Sequence, residues 1–294
     1  MSDLIQLPVE LQSQVFAYIK YPSAFAETCK HLYTLSTIKS VRRLWLWYNA
    51  EWLEEEWTRC VGPRSLDGHV YSKSKLRGVP NRMLANPDFV ETFLDMRGKD
   101  ANDIICSRIL QWSVPGNHAR IVEKLLTRTP RLHIPSQTIE ALFLSSAVAG
   151  YTAILKCLVT HRFEAVSRRL HLAGVLASRH GRAEVVHFLC SETPCDPFLE
   201  RPNGLELAAV CGHVDVVRIL VQVWARKKLQ GMDQSMVKLE EHLLRKAVDR
   251  GNIEVVGVLL ESGFRWGMNG SVELALAKGF DQMVNLLRAQ CATI

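Results

Sequence analysis

The sequence lacks an apolar run of the length that a membrane-spanning helix needs. Its longest uncharged stretch covers residues 141–155, whereas a helix needs roughly 20 residues to cross a bilayer. The first ten residues, MSDLIQLPVE, have neither a basic start nor a continuous apolar core. We therefore expect no secretory signal peptide, no membrane partner, and a cytoplasmic and/or nuclear location.

Motifs of the common catalytic and cofactor sites are missing as well. The chain has no G-x-x-x-x-G-K-[ST], no G-x-G-x-x-G after a predicted strand, no H-E-x-x-H and no G-x-S-x-G. His180, His187, Cys190 and Cys195 could suggest zinc, but their spacing is not a standard ligand spacing. We expect a protein that is not an enzyme, with no catalytic residue, metal or cofactor.

Composition and charge set broader limits. With 48% apolar and 22% charged residues, the 294-residue chain is typical of a folded protein that can hold two domains. The net charge of +6 is spread along the chain and does not decide between nucleic acid and protein partners. Eight cysteines scattered through predicted helices indicate reduced, buried thiols rather than a disulfide scaffold.

A repeated pattern organises the chain from about residue 101 to its end. Six turn positions, which we call anchors, are separated by 33, 31, 31, 39 and 28 residues. A small residue precedes each anchor by four positions, an apolar pair follows at four and five, and a leucine follows at eight. The anchors are Asn117, Gly150, Gly181, Gly212, Gly251 and Gly279.

This pattern predicts helix–turn–helix units whose anchor adopts a positive φ. Helices this short are marginal alone in water, so each unit needs its neighbours. Repetition at such a period indicates a helical solenoid. Gly174 departs from the pattern, because the other copies suggest an apolar residue seven positions before the anchor.

Residues 204–220, GLELAAVCGHVDVVRIL, are the best-formed copy. They resemble the ankyrin repeat family, whose unit reads G-x-T-P-L-H-x-A-A-x-x-G-H-x-x-x-V-x-x-L-L. The resemblance implies an ankyrin-type solenoid of about six divergent repeats over residues 101–294. No copy keeps T-P-L-H, which braces the turn in that family, so we expect looser repeats here.

The N-terminal segment carries a different signature. Pro8 suits a first helical turn, and the following apolar residues share one helix face. LPVEL, VFAYI and RRLW together resemble the F-box family, with L-P-x-E-L-x-x-x-I-F-x-Y-L. The resemblance implies a three-helix domain over residues 1–57 that binds the S-phase-kinase-associated adaptor of cullin–RING ubiquitin ligases. Adaptor contacts are then expected from Leu7, Pro8, Leu11, Val15, Phe16, Ile19, Leu44 and Trp45.

An alternative is that these N-terminal helices cap the solenoid. Residues 58–100 predict a linker rich in turn formers, followed by a degenerate repeat in which Phe89, Val90 and Phe93 match second-helix spacing. Between the fourth and fifth anchors, extra length extends a helix through Trp224 towards Gly231. That insertion predicts either a binding loop or a solvated helix end.

The predicted fold class is thus all-α, with an F-box-like domain followed by the solenoid. In a solenoid of this kind first helices line the concave side, and their outward positions mix cations with an aromatic, which suits an acidic or mixed protein segment. We expect substrate contacts from Gln111, Trp112, Arg179, His180, Glu206, Lys246, Asp249, Arg250, Glu273 and Lys278.

Together the two resemblances imply a substrate-recognition adaptor of an SCF-type ubiquitin ligase, with the cullin and an unidentified protein substrate as further partners. One alternative is an ankyrin-repeat scaffold without a ligase role. Another is a nucleic-acid binder using Arg168, Arg169, Arg179, Arg182 and residues 226–228. Because these basic clusters lack interleaved stacking aromatics, nucleic acid is the less favoured partner.

Overall fold

The computed structural model describes residues 87–97, 103–128, 134–199, 202–230, 234–264 and 267–291, together with four helical residues, Gln12, Val15, Val41 and Trp45. Throughout this part of the chain the regular structure is helical, which confirms the all-α class there. The helices are α1 (Pro87–Arg97), α2 (Asp103–Ser113), α3 (Ala119–Arg128), α4 (Ser136–Ala149), α5 (Thr152–Val166), α6 (Leu170–Arg179), α7 (Ala183–Glu192), α8 (Gly204–Cys211), α9 (Val214–Gln230), α10 (Gln234–Asp249), α11 (Ile253–Glu261), α12 (Met268–Ala277) and α13 (Asp281–Cys291).

All six anchors adopt the predicted left-handed backbone. Their φ values are 56° at Asn117 and between 69° and 90° at the five glycines. At Gly212 the reversed turn lets the N–H of His213 donate to the carbonyl of Ala208 at 2.9 Å, which closes the end of α8. Asn117 is the one residue other than glycine with a positive φ in the described ranges. The predicted role of the anchors is confirmed.

The positions that recur around each anchor form the core. Every small residue four positions before an anchor is fully buried, from Ser113 to Ala275. The apolar pairs and the leucines at position eight are at most 4% exposed. Burying a leucine side chain contributes about 1.5–3 kcal/mol, so the repeated leucines supply much of the energy that holds neighbouring helices together.

The second of two compact units, residues 140–294, stacks its helices in series. Its first helices α6, α8, α10 and α12 contact one another in chain order. The second helices α5, α7, α9, α11 and α13 do the same in a second layer. Each short helix therefore packs on the equivalent helix of the next copy, as the repeat pattern predicts.

The first unit, residues 1–139, holds α1, α2, α3 and the start of α4. Phe89, Val90 and Phe93 are buried on α1, and α1 contacts the second helix α3, in line with the predicted half-repeat. The indole of Trp45 lies 5.8 Å from the ring of Phe89. The predicted linker, residues 60–80, lies outside the described residues, and the boundaries at 57 and 100 stay predictions.

Two of the predicted adaptor contacts fall on residues that the structure describes. Val15 is 38% exposed, as a partner-binding residue should be, but Trp45 is 1% exposed. The expectation of an accessible Trp45 is therefore wrong, because the indole belongs to the core of the first unit. Leu7, Pro8, Leu11, Phe16, Ile19 and Leu44 lie outside the described residues.

The extra length between the fourth and fifth anchors extends α9 to Gln230, as predicted. Residues 231–233, which follow it, lie outside the described residues, so the binding loop and the solvated helix end both stay predictions. Trp224 is 4% exposed and lies between Phe198 and Phe264, with ring centroids 5.2 and 6.3 Å away. Its indole N–H donates to a carboxylate oxygen of Glu240 at 3.2 Å. The added turns of helix thus build a small second core.

Candidate protein-binding surface

The ends of the first helices α6, α10 and α12 carry exposed polar side chains, whereas α8 ends in Val210 and Cys211 and carries none. We call this set the turn row; its members lie one or two positions before an anchor. Because the first helices stack in series, their ends follow one another along the unit. Cations are favourable at the carboxyl end of a helix, where the backbone dipole is negative. The turn row consists of Arg179, His180, Asp249, Arg250 and Lys278.

Side chains directly after the anchors Gly181, Gly212 and Gly251 tie these turns to the preceding ones. The Arg182 Nε donates to the carbonyl of Val148 at 2.8 Å. The His213 Nε2 lies 3.0 Å from the carbonyl of Arg179. Each of these bonds joins two successive copies of the repeat. We call the residues that make them the turn latches; they are Arg182, His213 and Asn252, whose amide donates to the carbonyl of Ala209 at 2.8 Å.

Gly181 shows why the latches require glycine at the anchor. Its φ of 69° is costly for other residues. A Cβ at this position would also lie 2.7 Å from the Nδ1 of His213, closer than packed atoms allow. Glycine is thus needed for the backbone conformation and for the space that the latch of the next copy occupies.

Charge within the turn row is partly neutralised by one ion pair. The Lys278 ammonium lies 2.7 Å from the Asp249 carboxylate and donates to the Asp249 carbonyl at 2.6 Å. The hydrogen bond and the charge of Lys278 hold the pKa of Asp249 below its ordinary value. Arg179 and Arg250 are exposed, so the row keeps an excess of positive charge that suits an acidic segment.

Glu206, predicted on the binding surface, is instead a buried structural residue. It is 4% exposed, and its carboxylate accepts from the backbone N–H of Asn203 at 3.0 Å. The Asn203 side chain accepts from the backbone N–H of Glu206 at 2.8 Å, which completes a reciprocal cap on α8. The predicted outward position of Glu206 is therefore wrong. The cap also fixes the start of α8.

The remaining predicted contacts divide between the two units. In the second unit, Lys246 is half-buried and Glu273 is exposed. In the first unit, Gln111 and Trp112 are half-buried, and the indole of Trp112 stacks on the ring of His118 at 4.6 Å. Trp112 is thus held by its own copy of the repeat.

Several cations of the nucleic-acid hypothesis are already paired within the chain. Arg169 lies 2.7 Å from the Glu140 carboxylate. Lys227 pairs with Asp196, and Lys228 lies 3.2 Å from Glu240. Pairing reduces the charge that these residues could offer to phosphates, so the structure does not favour a nucleic-acid groove there.

The described part of the chain contains no group of three or more His, Cys, Asp or Glu residues that could hold a metal ion. None of its helices has the length and apolarity required to span a membrane. The chain matched no protein-family model, no curated protein and no solved structure.

Sequence reasoning missed the turn latches, although one signal was available. A side chain that can reach the preceding turn follows three successive anchors, and the GH pair at 212–213 is one example. The Asn203-x-x-Glu206 spacing likewise fits a helix cap. Both features give structural roles to residues that otherwise look like binding positions.

Proposed function

We propose that this chain is a non-enzymatic substrate-recognition adaptor of an SCF-type cullin–RING ubiquitin ligase. Its F-box-like segment binds the S-phase-kinase-associated adaptor and, through it, the cullin. The ankyrin-like helix stack binds the protein to be ubiquitylated. The proposed substrate binding is supported by the serial helix stack of the second unit. This stack presents the exposed side chains of the turn row.

Such an adaptor acts by positioning. Holding a substrate on a rigid stack raises its effective concentration near the ubiquitin-charged enzyme, without new chemistry in this chain. The turn latches serve that task because they fix the spacing of successive turns. Positive charge on the turn row favours a substrate segment that is acidic or of mixed charge.

Support for the ligase half comes from the sequence LPVEL near the N-terminus and from Val15, an apolar residue that is 38% exposed. We expect wild-type protein to capture the purified adaptor. Leu7→Ala/Pro8→Ala and Val15→Asp should each abolish capture. Leu276→Asp is the matched control, since Leu276 is an apolar residue that is 50% exposed in the second unit, and it should bind normally.

Capture that is equal for all variants would contradict the proposed adaptor site. Trp45→Ala is not a suitable test, because that indole is buried and its removal would damage the fold. Circular dichroism of each variant confirms that lost capture is not lost folding.

A second candidate is an ankyrin-type scaffold without a ligase role. The observation that favours it is the burial of Trp45 against Phe89, since a structural N-terminal segment would pack in this way. This candidate predicts no adaptor capture by wild-type protein. It still predicts that Arg179→Glu/Arg250→Glu removes partners found by co-purification and mass spectrometry, so the two experiments separate the candidates.

A further inference from the structure

The ends of three successive first helices differ in charge. Arg179 is the last residue of α6, Arg250 directly follows α10, and both are exposed. The helix between them, α8, contacts both α6 and α10 and ends in a half-buried Val210 and an exposed Cys211. Two positively charged helix ends therefore flank one helix end that carries no charge.

Both guanidinium groups are available to a partner. Asp249, the acidic residue next to Arg250, is paired with the Lys278 ammonium at 2.7 Å. Among the residues that the structure describes, no carboxylate lies within ion-pair distance of Arg179 or Arg250. Each group thus keeps the planar set of donors that fits a carboxylate.

The turn latches fix the spacing of these three helix ends. The His213 Nε2 lies 3.0 Å from the carbonyl of Arg179. The Asn252 amide, next to the turn that carries Arg250, donates to the carbonyl of Ala209 near the end of α8 at 2.8 Å. Packed helices lie about 8–10 Å apart. Because Arg250 is two helices away from Arg179, the two positions are separated by roughly 16–20 Å.

An extended peptide segment matches this distance. A strand rises about 3.3 Å per residue, so two side chains five or six positions apart are separated by roughly 16–20 Å. An amphipathic helix would instead need a hydrophobic groove, and none of the three helix ends exposes a large apolar side chain. The middle of an extended segment would lie over Val210 and Cys211, which suits one apolar side chain.

From this arrangement we propose that the second unit recognises an extended segment of another protein that has two acidic residues five or six positions apart and an apolar residue midway. One acidic residue pairs with Arg179 and the other with Arg250, while the apolar residue contacts Val210 and Cys211. The inference rests on the proposed function in one respect, since the segment is then the part of the ubiquitylation substrate that this chain binds.

Fluorescence anisotropy with labelled synthetic peptides tests the spacing. Every peptide carries two glutamates and one central leucine in the same alanine–serine background, and the separation of the glutamates is two, five, six or eleven positions. We expect the full chain to bind the five- and six-position peptides most tightly. The eleven-position peptide is the control for helical binding, because a helix rises about 1.5 Å per residue and covers the same distance.

Variants of the chain test the two arginines. Arg179→Gln and Arg250→Gln should each weaken binding of the five- and six-position peptides by about two- to fivefold, the effect of losing one exposed ion pair. Arg218→Gln is the matched control, since Arg218 is an exposed arginine on the second helix α9, and it should bind normally. Bound peptide should also slow alkylation of Cys211 but not that of Cys157, a half-buried thiol on α5.

Equal affinity at all four separations, tightest binding at eleven positions, or no saturable binding would overturn the proposal. Equal weakening by Arg218→Gln would also overturn it, because the attraction would then depend on net charge alone. Capture of the ligase adaptor is measured separately. Peptide discrimination without adaptor capture would remove the ligase role and keep this binding site, whereas adaptor capture without peptide discrimination would do the reverse.

Discussion

The turn at Asn117 and the turns at Gly181, Gly212 and Gly251 share the same backbone reversal but use the next residue differently. In the first unit, His118 stacks on Trp112 within its own copy of the repeat. In the second unit, Arg182, His213 and Asn252 each bond to a carbonyl of the preceding turn. The same sequence position therefore braces one copy in the first case and joins two copies in the second.

This difference distinguishes the core residues that all copies share from the hydrogen bonds that only some copies make to the preceding turn. A buried small residue, an apolar pair and a leucine occur in every copy, and the helices that carry them pack within a copy and between successive copies. Hydrogen bonds between successive turns add a connection that the helix packing alone does not provide. The latches should therefore influence how far a local disturbance spreads along the second unit.

Removing a leucine of the shared core should have the largest effect, and it should be similar in both regions. Leu125→Ala and Leu220→Ala each remove a side chain that is at most 1% exposed. We expect a loss of about 2–5 kcal/mol in the free energy of unfolding, measured in urea. Leu276→Ala, at a half-exposed position, is the control and should cost less than about 0.5 kcal/mol.

Gly181→Ala should cause the next largest loss of unfolding free energy, and this loss should exceed that caused by Gly279→Ala. Both anchors have φ near 70°, so each substitution costs about 1–2 kcal/mol of backbone strain. At Gly181 the new Cβ also displaces His213, whereas at Gly279 it meets nothing within 4 Å. Losing the latch bond adds about 0.5–1.5 kcal/mol. Equal losses of unfolding free energy would show that the latch contributes nothing.

His213→Ala and His118→Ala should reduce the free energy of unfolding by similar amounts, but they should increase amide hydrogen exchange in different parts of the chain. Each should cost about 0.5–1.5 kcal/mol, through a lost hydrogen bond or a lost ring contact. His213→Ala should raise amide hydrogen exchange in the preceding turn, around Gly181, while His118→Ala should raise it in its own copy only. Exchange that rises only around Gly212 after His213→Ala would contradict the assignment of His213 as a latch.

The smallest effect concerns the Asp249–Lys278 pair. Because the folded pKa of Asp249 lies below its unfolded value, the pair stabilises the fold at neutral pH, and this contribution is lost as pH falls through the folded pKa. Lys278→Met should raise the pKa of Asp249, followed by NMR of the carboxyl carbon. An unchanged pKa would show that the ion pair does not persist in solution.

Local rules were sufficient to predict the repeated parts of this fold. A positive φ at a glycine anchor, and burial of small residues and leucines around it, follow from the spacing alone. The second-helix positions of α1 were also found by spacing. Such features depend on residues that lie close together in sequence.

The burial of the two tryptophans and the turn latches could not be predicted, because they depend on residues that are far apart in sequence. Trp45 and Trp224 have helix spacing that suits a partner surface as well as a core, and only their neighbours Phe89 and Phe264 distinguish the two. The latch between His213 and Arg179 spans 34 residues. Glu206 was placed outward because it lies between the apolar positions of a first helix, although its cap with Asn203 stabilises it in a buried position.

The most direct test of the link between turns is a double-mutant cycle with Gly181→Ala and His213→Ala, read as free energies of unfolding. In the His213→Ala background the clash is absent, so Gly181→Ala should cost only backbone strain, as Gly279→Ala does. We predict a coupling of about 0.5–1.5 kcal/mol between the two positions. Strictly additive losses would contradict the claim that side chains after the anchors join successive copies of the repeat.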